Sequence, residues 1–345
     1  MPPGPPAAAG RARRRVVSDR GPAEAGRPAT RGGAVPAPAR PPRGSLAAAL
    51  SAGTVVLDGG LSNQLAAAGT DLSGGLWTGR ALREHPDTVL RAHLDYYLVG
   101  ASVATTASYQ VTFEAFARHG VDRAGVAGLL RRSVALAREA AERAGAAGVS
   151  RPMWVAASVG PYGAMLADGS EYRGRYGLSV RELEHFHRPR LEVLAEAGPD
   201  VLALETVPDT REAEALLRAA DGLGVPAWLS YTVAGGATRA GQPLEEAFAL
   251  AAGSDSVIAV GANCCSPADV EEALRVAARV TGKPLVGYPN SGETWDGASG
   301  AWRGPSEFDV RYAAAWTAAG ARLVGGCCRV GPAEITRLAA AVAGR

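Results

Sequence analysis

The sequence predicts an α/β fold, a (β/α)8 TIM barrel, from three observations. Eight short apolar runs recur from residue 46 onward, separated by segments rich in Ala, Leu, Glu and Arg that are typical of helices. The runs are almost continuously apolar, as are parallel strands buried on both faces. No Gly-x-Gly-x-x-Gly pattern follows the first run, which disfavours the competing doubly wound sheet that binds dinucleotides.

The predicted strands and helices follow in alternation along the chain. The strands are expected at Thr54–Gly60, Ala101–Ser108, Met153–Gly160, Val201–Thr206, Ala227–Val233, Ser256–Cys264, Pro284–Ser291 and Ala321–Cys328. Helices with clear patterns are Ala124–Ala144, Thr210–Asp221 and Ala268–Arg279. Asp122 and Ser266 stand where N-caps of the first and last of these belong. The longest connection, Pro161–Val180, follows the third strand and is expected to form a wall of the active site.

The first 45 residues differ from the rest in composition. They hold ten of the 23 prolines and nine arginines, against only two acidic residues. Such a segment buries too little apolar surface to offset the entropy lost on ordering. We therefore predict a disordered tail over residues 1–45 and a catalytic barrel domain over 46–345. No apolar segment follows Arg13-Arg14-Arg15, so a secretory signal is not expected.

Charge and cysteine content exclude several function classes. Residues 46–345 carry 27 basic and 32 acidic residues, and this mildly acidic balance argues against nucleic-acid binding. No apolar stretch reaches the roughly 18–20 residues that a membrane span needs. Four cysteines in 345 residues, set as two adjacent pairs, do not make a disulfide scaffold. We expect a reducing, cytoplasmic location.

Polar residues concentrate where the apolar runs end. Asp58 ends the first strand, Glu205 the fourth, Cys264 the sixth, and Cys327 and Cys328 the eighth. In a barrel, all eight carboxyl ends meet at one face, which is where active sites lie. These side chains are therefore expected at one rim.

The cysteines at this rim predict a zinc site. Strands six and eight are separated by one strand, so Cys264 can converge with Cys327 and Cys328. Three thiolates at about 2.3 Å fill three corners of a tetrahedral zinc and leave one position open. An open position beside three thiolates suits the alkylation of an incoming sulfur. Adjacent side chains on a strand face opposite ways, so Cys265 is expected to be a buried apolar residue, and Cys327-Cys328 needs a distorted backbone.

Two acids and several aromatic residues are further candidates. Asp58 and Glu205 could hold the ammonium group of an amino-acid substrate, or each could cap a neighbouring loop or helix. An aromatic face near the rim can hold a cationic donor, although core packing is at least an equal alternative. The aromatic residues near the predicted rim loops are Trp77, Tyr109, Tyr162 and Tyr172.

Together, the motifs resemble those of the homocysteine S-methyltransferase family. Its members are zinc-dependent enzymes with a (β/α)8 fold. The resemblance runs from about residue 54 to the C-terminus. The long third loop looks most like the bacterial and plant branch that uses S-methylmethionine. One departure is Ala66, where the family often has an acidic residue. The matching fragments are Leu57-Asp58-Gly59-Gly60, His93–Tyr97, Thr106–Gln110, Ser158–Gly163, Ala167–Gly174, Glu205-Thr206, Gly261–Cys264, Tyr288–Glu293 and Gly325–Arg329.

The resemblance implies one Zn²⁺ per chain, held by Cys264, Cys327 and Cys328, and a homocysteine amino group held by Asp58 and Glu205. It implies methyl transfer from a sulfonium donor to L-homocysteine, with the substrate thiolate at zinc as the nucleophile and no further catalytic side chain. Asn290 is expected to contact an amino-acid carboxylate. The alternatives are S-adenosylmethionine, betaine or a methylfolate as donor, a thiol redox protein, or a barrel with structural zinc. The sequence does not predict an oligomeric state.

Overall fold

The chain folds as a barrel of eight parallel strands. A computed structural model describes residues 44–72, 76–296 and 301–344. The predicted tail lies outside the described residues, apart from residues 44 and 45. The barrel strands are β1 (Val55–Val56), β2 (Val103–Thr105), β3 (Trp154–Val159), β4 (Val201–Val207), β5 (Ala227–Tyr231), β6 (Val257–Asn263), β7 (Leu285–Tyr288) and β8 (Ala321–Val324).

The strands pair in parallel around the whole barrel. The order is β1-β8-β7-β6-β5-β4-β3-β2, so each strand neighbours the next in sequence and β8 returns to β1. A parallel bridge between Leu57 and Val103 joins β1 to β2, supported by a 2.7 Å hydrogen bond from the Ser102 N–H to the Val56 carbonyl. The predicted TIM barrel is confirmed.

Helices fill the connections between strands. The predicted N-caps are confirmed, because Asp122 accepts from the Gly125 N–H at 2.7 Å and Ser266 from the Asp269 N–H at 3.1 Å. The helices of the described residues are α1 (Leu46–Ala52), α2 (Leu61–Ala67), α3 (Trp77–Glu84), α4 (Pro86–Leu98), α5 (Phe113–Ala117), α6 (Arg123–Ala146), α7 (Tyr162–Leu166), α8 (Val180–Glu196), α9 (Thr210–Ala220), α10 (Leu244–Ala252), α11 (Pro267–Thr281), α12 (Val310–Ala318) and α13 (Pro332–Ala343).

Short elements elaborate three of the connections that follow a strand. The connection after β3 contains α7 and a 3₁₀ turn at Ser170–Tyr172 before α8 begins. Small antiparallel hairpins follow β5, at Val233–Ala234 with Ala237–Thr238, and β7, at Thr294–Asp296 with Ala301–Arg303. Among the described helices, none is long and apolar enough to cross a membrane.

The barrel interior changes from apolar to polar along its axis. Leu46 and Leu50 of α1 join the apolar inner cluster, and the Trp154 indole donates to the Gly44 carbonyl at 3.0 Å, so α1 covers the amino-terminal end. Because side chains alternate along a strand, residues two positions later face the same interior. There the apolar residues Ala156, Ala203, Trp228, Gly261 and Val286 give way to Ser158, Glu205, Ser230, Asn263 and Tyr288. This polar layer forms the floor of the site.

Candidate active site at the carboxyl ends of the strands

A cleft of about 790 Å³, including the part open to solvent, lies at the carboxyl ends of the strands. The predicted rim residues Asp58, Glu205, Cys264, Cys327 and Cys328 all line it. Its other lining residues are Gly59, Gly60, Leu61, Ser62, Trp77, Thr78, Thr105, Thr106, Ala107, Tyr109, Gln110, Ser158, Glu171, Tyr172, Thr206, Tyr288 and Gly326.

Three of the four cysteines converge at one side of this cleft. The sulfur atoms of Cys264, Cys327 and Cys328 all lie within 4.8 Å of one another. The Sγ atoms of Cys264 and Cys328 are 3.7 Å apart. Cys265 is not in this group, and its buried side chain packs in the hydrophobic core instead. The convergence matches the arrangement expected from the sequence.

The backbone turns that aim these sulfurs come after the strands have ended. β6 stops at Asn263, and Cys264 adopts a positive φ of 55°, an uncommon conformation for a non-glycine residue. β8 stops at Val324 rather than at Cys328, so the predicted strand was too long. Cys327 and Cys328 therefore lie in a turn, where the alternation of side chains along a strand no longer applies.

Glycines allow this turn to approach β1. A side chain at Gly60 would place its Cβ 2.6 Å from the Cys327 carbonyl oxygen. At Gly326 the Cβ would lie 2.1 Å from a methyl carbon of Val330. Both distances are shorter than any normal contact. Gly60 therefore lets the cysteine turn approach the residues after β1, and Gly326 lets the turn fold closely onto Val330.

Hydrogen bonds to the connection after β7 hold the turn. The Asn290 Oδ1 accepts from the Cys328 N–H at 3.1 Å, and the Pro289 carbonyl accepts from the Cys327 N–H at 2.7 Å. The Arg329 guanidinium makes two bonds to the Glu293 carboxylate, at 3.0 and 3.1 Å. Asn290 thus supports the turn and is not among the residues that line the cleft. Its contact with a substrate carboxylate stays a prediction.

The spacing of the three sulfurs fits a metal ion of zinc's size, and thiolates are ligands that zinc prefers. Ligands at about 2.3 Å in a tetrahedral arrangement are about 3.8 Å apart, close to the 3.7 Å between Cys264 and Cys328. Thiol donors to Cys328 from Cys264 and Cys327 hold the pKa of Cys328 well below its usual range. One thiolate is therefore already favoured, and a soft cation would favour the other two.

Asp58 and Glu205 are buried acids at the same rim. Asp58 accepts from the Thr105 N–H at 2.7 Å and from the Thr105 hydroxyl at 2.9 Å. Glu205 accepts from the Tyr288 hydroxyl at 2.9 Å and from the Ser158 hydroxyl. Burial raises the pKa of Asp58 to about 8 and that of Glu205 to about 7. Neither acid has a basic side chain as an ion-pair partner in the described chain, so both are available to a ligand cation.

A hydrogen-bonded network beneath Glu205 fixes its position. The Tyr288 hydroxyl, which bonds Glu205, accepts from the Trp228 indole at 3.0 Å and lies 2.8 Å from the Ser230 hydroxyl. Ser230 in turn donates to Asn263 Oδ1 at 2.8 Å. The motif signals in the sequence included Asn263, but the supporting roles of Ser158, Ser230 and Tyr288 were missed. Each of the three lies two positions after an apolar residue that faces the barrel interior, on β3, β5 and β7. This spacing is the signal that could have identified them.

The connection after β3 forms a wall of the cleft, as expected from its length. Tyr172 lies on its 3₁₀ turn with its hydroxyl 3.1 Å from the Cys264 Sγ. Glu171, which sequence reasoning did not single out, is 3% exposed and lines the cleft beside it. Of the four rim aromatics, Trp77, Tyr109 and Tyr172 line the cleft. Tyr162 instead packs against Phe186, with ring centroids 4.9 Å apart.

A buried ionic cluster lies behind this wall. The His187 ring lies 2.9 Å from the Glu212 carboxylate, and the Arg190 guanidinium contacts both His187 and the Gly160 carbonyl. Glu212 also accepts from the Tyr162 N–H, at the start of α7, at 2.5 Å. The cluster therefore ties α8 and α9 to the beginning of the wall.

Comparisons with known proteins agree with this geometry. A family model described as homocysteine S-methyltransferase matches residues 55–342. The homocysteine S-methyltransferase of Escherichia coli K12 is 44% identical over 292 residues, covering 83% of this chain and 94% of that protein. Homocysteine S-methyltransferase 4 of Zea mays is 44% identical over 307 residues, covering 84% of this chain and 90% of that protein.

A solved structure is similar over the same region. The metallated form of the homocysteine methyltransferase MmuM from Escherichia coli superposes with a TM-score of 0.76 and 43% identity. The match covers 83% of this chain and 96% of that one. The oxidized form of the same enzyme gives the same TM-score.

Proposed function

This chain belongs to the homocysteine S-methyltransferase family, and we propose that it transfers a methyl group from S-methylmethionine to L-homocysteine at a zinc ion. It is a methyltransferase. The product of the proposed reaction is L-methionine, formed once from homocysteine and once from the demethylated donor. The observation that carries this proposal is the convergence of three thiols beside two buried carboxylates in one cleft.

We assign Cys264, Cys327 and Cys328 as the zinc ligands. Their sulfur separation matches tetrahedral zinc, and the similar Escherichia coli enzyme has a metallated form. When bound, zinc would supply a Lewis acid that lowers the pKa of the homocysteine thiol, so that its sulfur is nucleophilic at neutral pH. The Tyr172 hydroxyl, 3.1 Å from Cys264, limits the space beside the sulfurs.

Asp58 and Glu205 would bind the homocysteine ammonium group. Both carboxylates are buried, and charge-assisted hydrogen bonds to an ammonium are strong where water is excluded. Thr105 and Tyr288 hold the two carboxylates in place through the bonds described above. Asn290 supports the cysteine turn, and it remains a candidate to bind the substrate carboxylate as well.

The proposed transfer needs no acid from the protein. The homocysteine sulfur forms a bond to the methyl carbon while the bond from that carbon to the donor sulfur breaks. The donor sulfur keeps the electron pair of the broken bond and leaves as a neutral thioether, so nothing has to protonate it. Charge disappears in this step, and the wall formed by residues 161–180 favours it by excluding water. We place the reaction in the cytoplasm, where thiols stay reduced.

A donor panel tests the proposal. Purified protein is incubated with homocysteine and S-methylmethionine, S-adenosylmethionine or betaine, and zinc is measured on the same sample. We expect about one zinc per chain and the fastest methionine formation with S-methylmethionine. If no sulfonium donor supports methionine formation, the proposed reaction is wrong.

A thiol redox role is the second candidate, favoured by the 3.7 Å approach of Cys264 and Cys328. It predicts protein without zinc and a disulfide that titrates reversibly. Metal analysis and thiol counting on freshly purified protein separate the two functions.

A further inference from the structure

A third buried carboxylate lines the cleft, and the proposed binding of homocysteine does not use it. Glu171 is 3% exposed, yet its Oε2 has no hydrogen-bond partner within the described chain. A buried carboxylate oxygen without a partner is costly, because it has lost its hydration without gaining a hydrogen bond. Burial accordingly raises its pKa to about 7. Such a group indicates a site built for a ligand that donates hydrogen bonds.

The nearest basic residue along the chain does not satisfy Glu171. Arg173 is exposed, and its guanidinium bonds the Ser170 hydroxyl at 2.6 Å and lies 3.5 Å from Asp168. No ion pair to Glu171 occurs in the part of the chain that the structure describes. Any cation that pairs with Glu171 would therefore come from a ligand in the cleft.

Close packing fixes Glu171 in the wall. A side chain at Gly163 of α7 would place its Cβ 2.4 Å from the Glu171 backbone nitrogen, so α7 lies directly against the 3₁₀ turn. The next residue, Tyr172, has its hydroxyl 3.1 Å from the Cys264 Sγ. Glu171 is thus held one residue away from a direct contact with the thiol cluster.

The charges of the two substrates indicate which cation Glu171 binds. Homocysteine brings one ammonium group, for which Asp58 and Glu205 are already present. A sulfonium amino acid brings two further positive centres, its sulfonium and its own ammonium. A sulfonium carries no N–H or O–H, so it cannot satisfy the empty acceptor on Glu171, whereas an ammonium offers three donors.

We propose that Glu171 binds the α-ammonium group of the methyl donor and so makes the enzyme selective for sulfonium amino acids. This inference rests on the proposed homocysteine methylation. A sulfonium or quaternary ammonium donor that lacks an amino group would leave the Glu171 carboxylate unpaired in the bound complex. Such donors are disfavoured even when their methyl group is equally reactive.

The variant Glu171→Gln tests this role with little change in shape. Steady-state kinetics are measured with S-methylmethionine and with a dimethylsulfonium carboxylate that has no amino group. We expect the KM for S-methylmethionine to rise about 10- to 100-fold, the value of one charge-assisted hydrogen bond. The KM for homocysteine should change less than about twofold. The preference for S-methylmethionine over the donor without an amino group should shrink by the same 10- to 100-fold.

Asp168→Asn is the matched control. The substitution removes a carboxylate that lies three positions before Glu171 on the same wall. The Asn side-chain oxygen can still accept from the Ser170 N–H. This variant should keep wild-type kinetics. Zinc content and thermal melting confirm that each variant is folded, and Glu171→Asp, which keeps the charge on a shorter arm, should fall between wild type and Glu171→Gln.

Two results would overturn the inference. One is an unchanged KM for S-methylmethionine in Glu171→Gln, including the case in which only kcat falls. The other is a rise in the KM for homocysteine instead, which would place the acceptor amino acid at Glu171. Failure of the proposed function looks different, because the wild-type protein would then form no methionine from any sulfonium donor.

Discussion

Replacing Asp58 with Asn should weaken substrate binding and stabilise the ligand-free protein. Burial raises the pKa of Asp58 from an ordinary value of 3.8 to about 8. Between these two values the folded protein holds a proton that the unfolded chain releases, so stability falls as the pH rises. The slope for one proton is about 1.4 kcal/mol per pH unit. Below about pH 4 the buried Asp58 carboxyl no longer lowers the stability, and above about pH 8 the loss of stability that it causes stays constant.

Asn fits the same position because its oxygen accepts from the Thr105 N–H and the Thr105 hydroxyl can rotate to accept from its amide. Asn does not titrate, so the stability of Asp58→Asn does not fall with pH for this reason. Between pH 5 and pH 7, wild type should lose about 3 kcal/mol more stability than Asp58→Asn. The KM for homocysteine should rise about 10- to 100-fold through the lost charge-assisted bond.

Urea unfolding of ligand-free protein at pH 5, 6 and 7 measures the first effect, and steady-state kinetics the second. Asp255→Asn, which removes an exposed acid at the opposite end of the barrel, should follow the wild-type pH profile. Parallel profiles for wild type and Asp58→Asn would refute the assignment of a buried, proton-holding carboxyl. An unchanged KM for homocysteine would refute its role in ammonium binding.

The thiol cluster, the ionic cluster behind the wall and the two rim acids each give a further prediction. Cys264→Ser should lose both bound zinc and methyl transfer, while Cys265→Ala should keep both. Metal analysis and methionine formation measure the two properties, and zinc retained in Cys264→Ser would contradict the assigned ligands. Glu212→Ala should lower the free energy of unfolding by about 3–5 kcal/mol, because it removes the buried carboxylate that bonds His187 and whose negative charge lies near the buried Arg190 guanidinium. An equilibrium denaturation curve like that of wild type would exclude this. The KM for homocysteine in the wild-type enzyme should rise as the pH falls from 8 to 6, because Asp58 and Glu205 become protonated and no longer attract an ammonium; a flat profile would show that neither carboxyl titrates there.

The barrel could be predicted from the sequence because its strands are buried on both faces. All eight apolar runs became strands, and the acids and cysteines at their ends met at one rim as parallel topology requires. The strand bounds were less accurate. The run through Cys328 was predicted as strand, whereas β8 ends at Val324 and the glycines after it turn both cysteines into the cleft. Apolar and small residues do not show where such a turn begins.

The contents of the third connection were also beyond the sequence pattern. Its length and position predicted a wall of the site, and the structure places α7 and a 3₁₀ turn there. Glu171 was one acid in a polar segment, indistinguishable by pattern from its exposed neighbour Asp168. The fold of this connection, with α7 packed against the 3₁₀ turn, is what buries Glu171 at the lining of the cleft. The departure at Ala66, by contrast, is exposed and is not among the residues that line the cleft.

The stoichiometry of the reaction tests the proposed chemistry most directly. Zinc-loaded protein is given limiting homocysteine with excess S-methylmethionine, and methionine is counted against homocysteine consumed. The proposed methyl transfer predicts two methionines per homocysteine, one from the acceptor and one from the donor. A yield of no methionine, or consumption of homocysteine only as its disulfide, would contradict the assignment of the three-cysteine cleft as a methyl-transfer site.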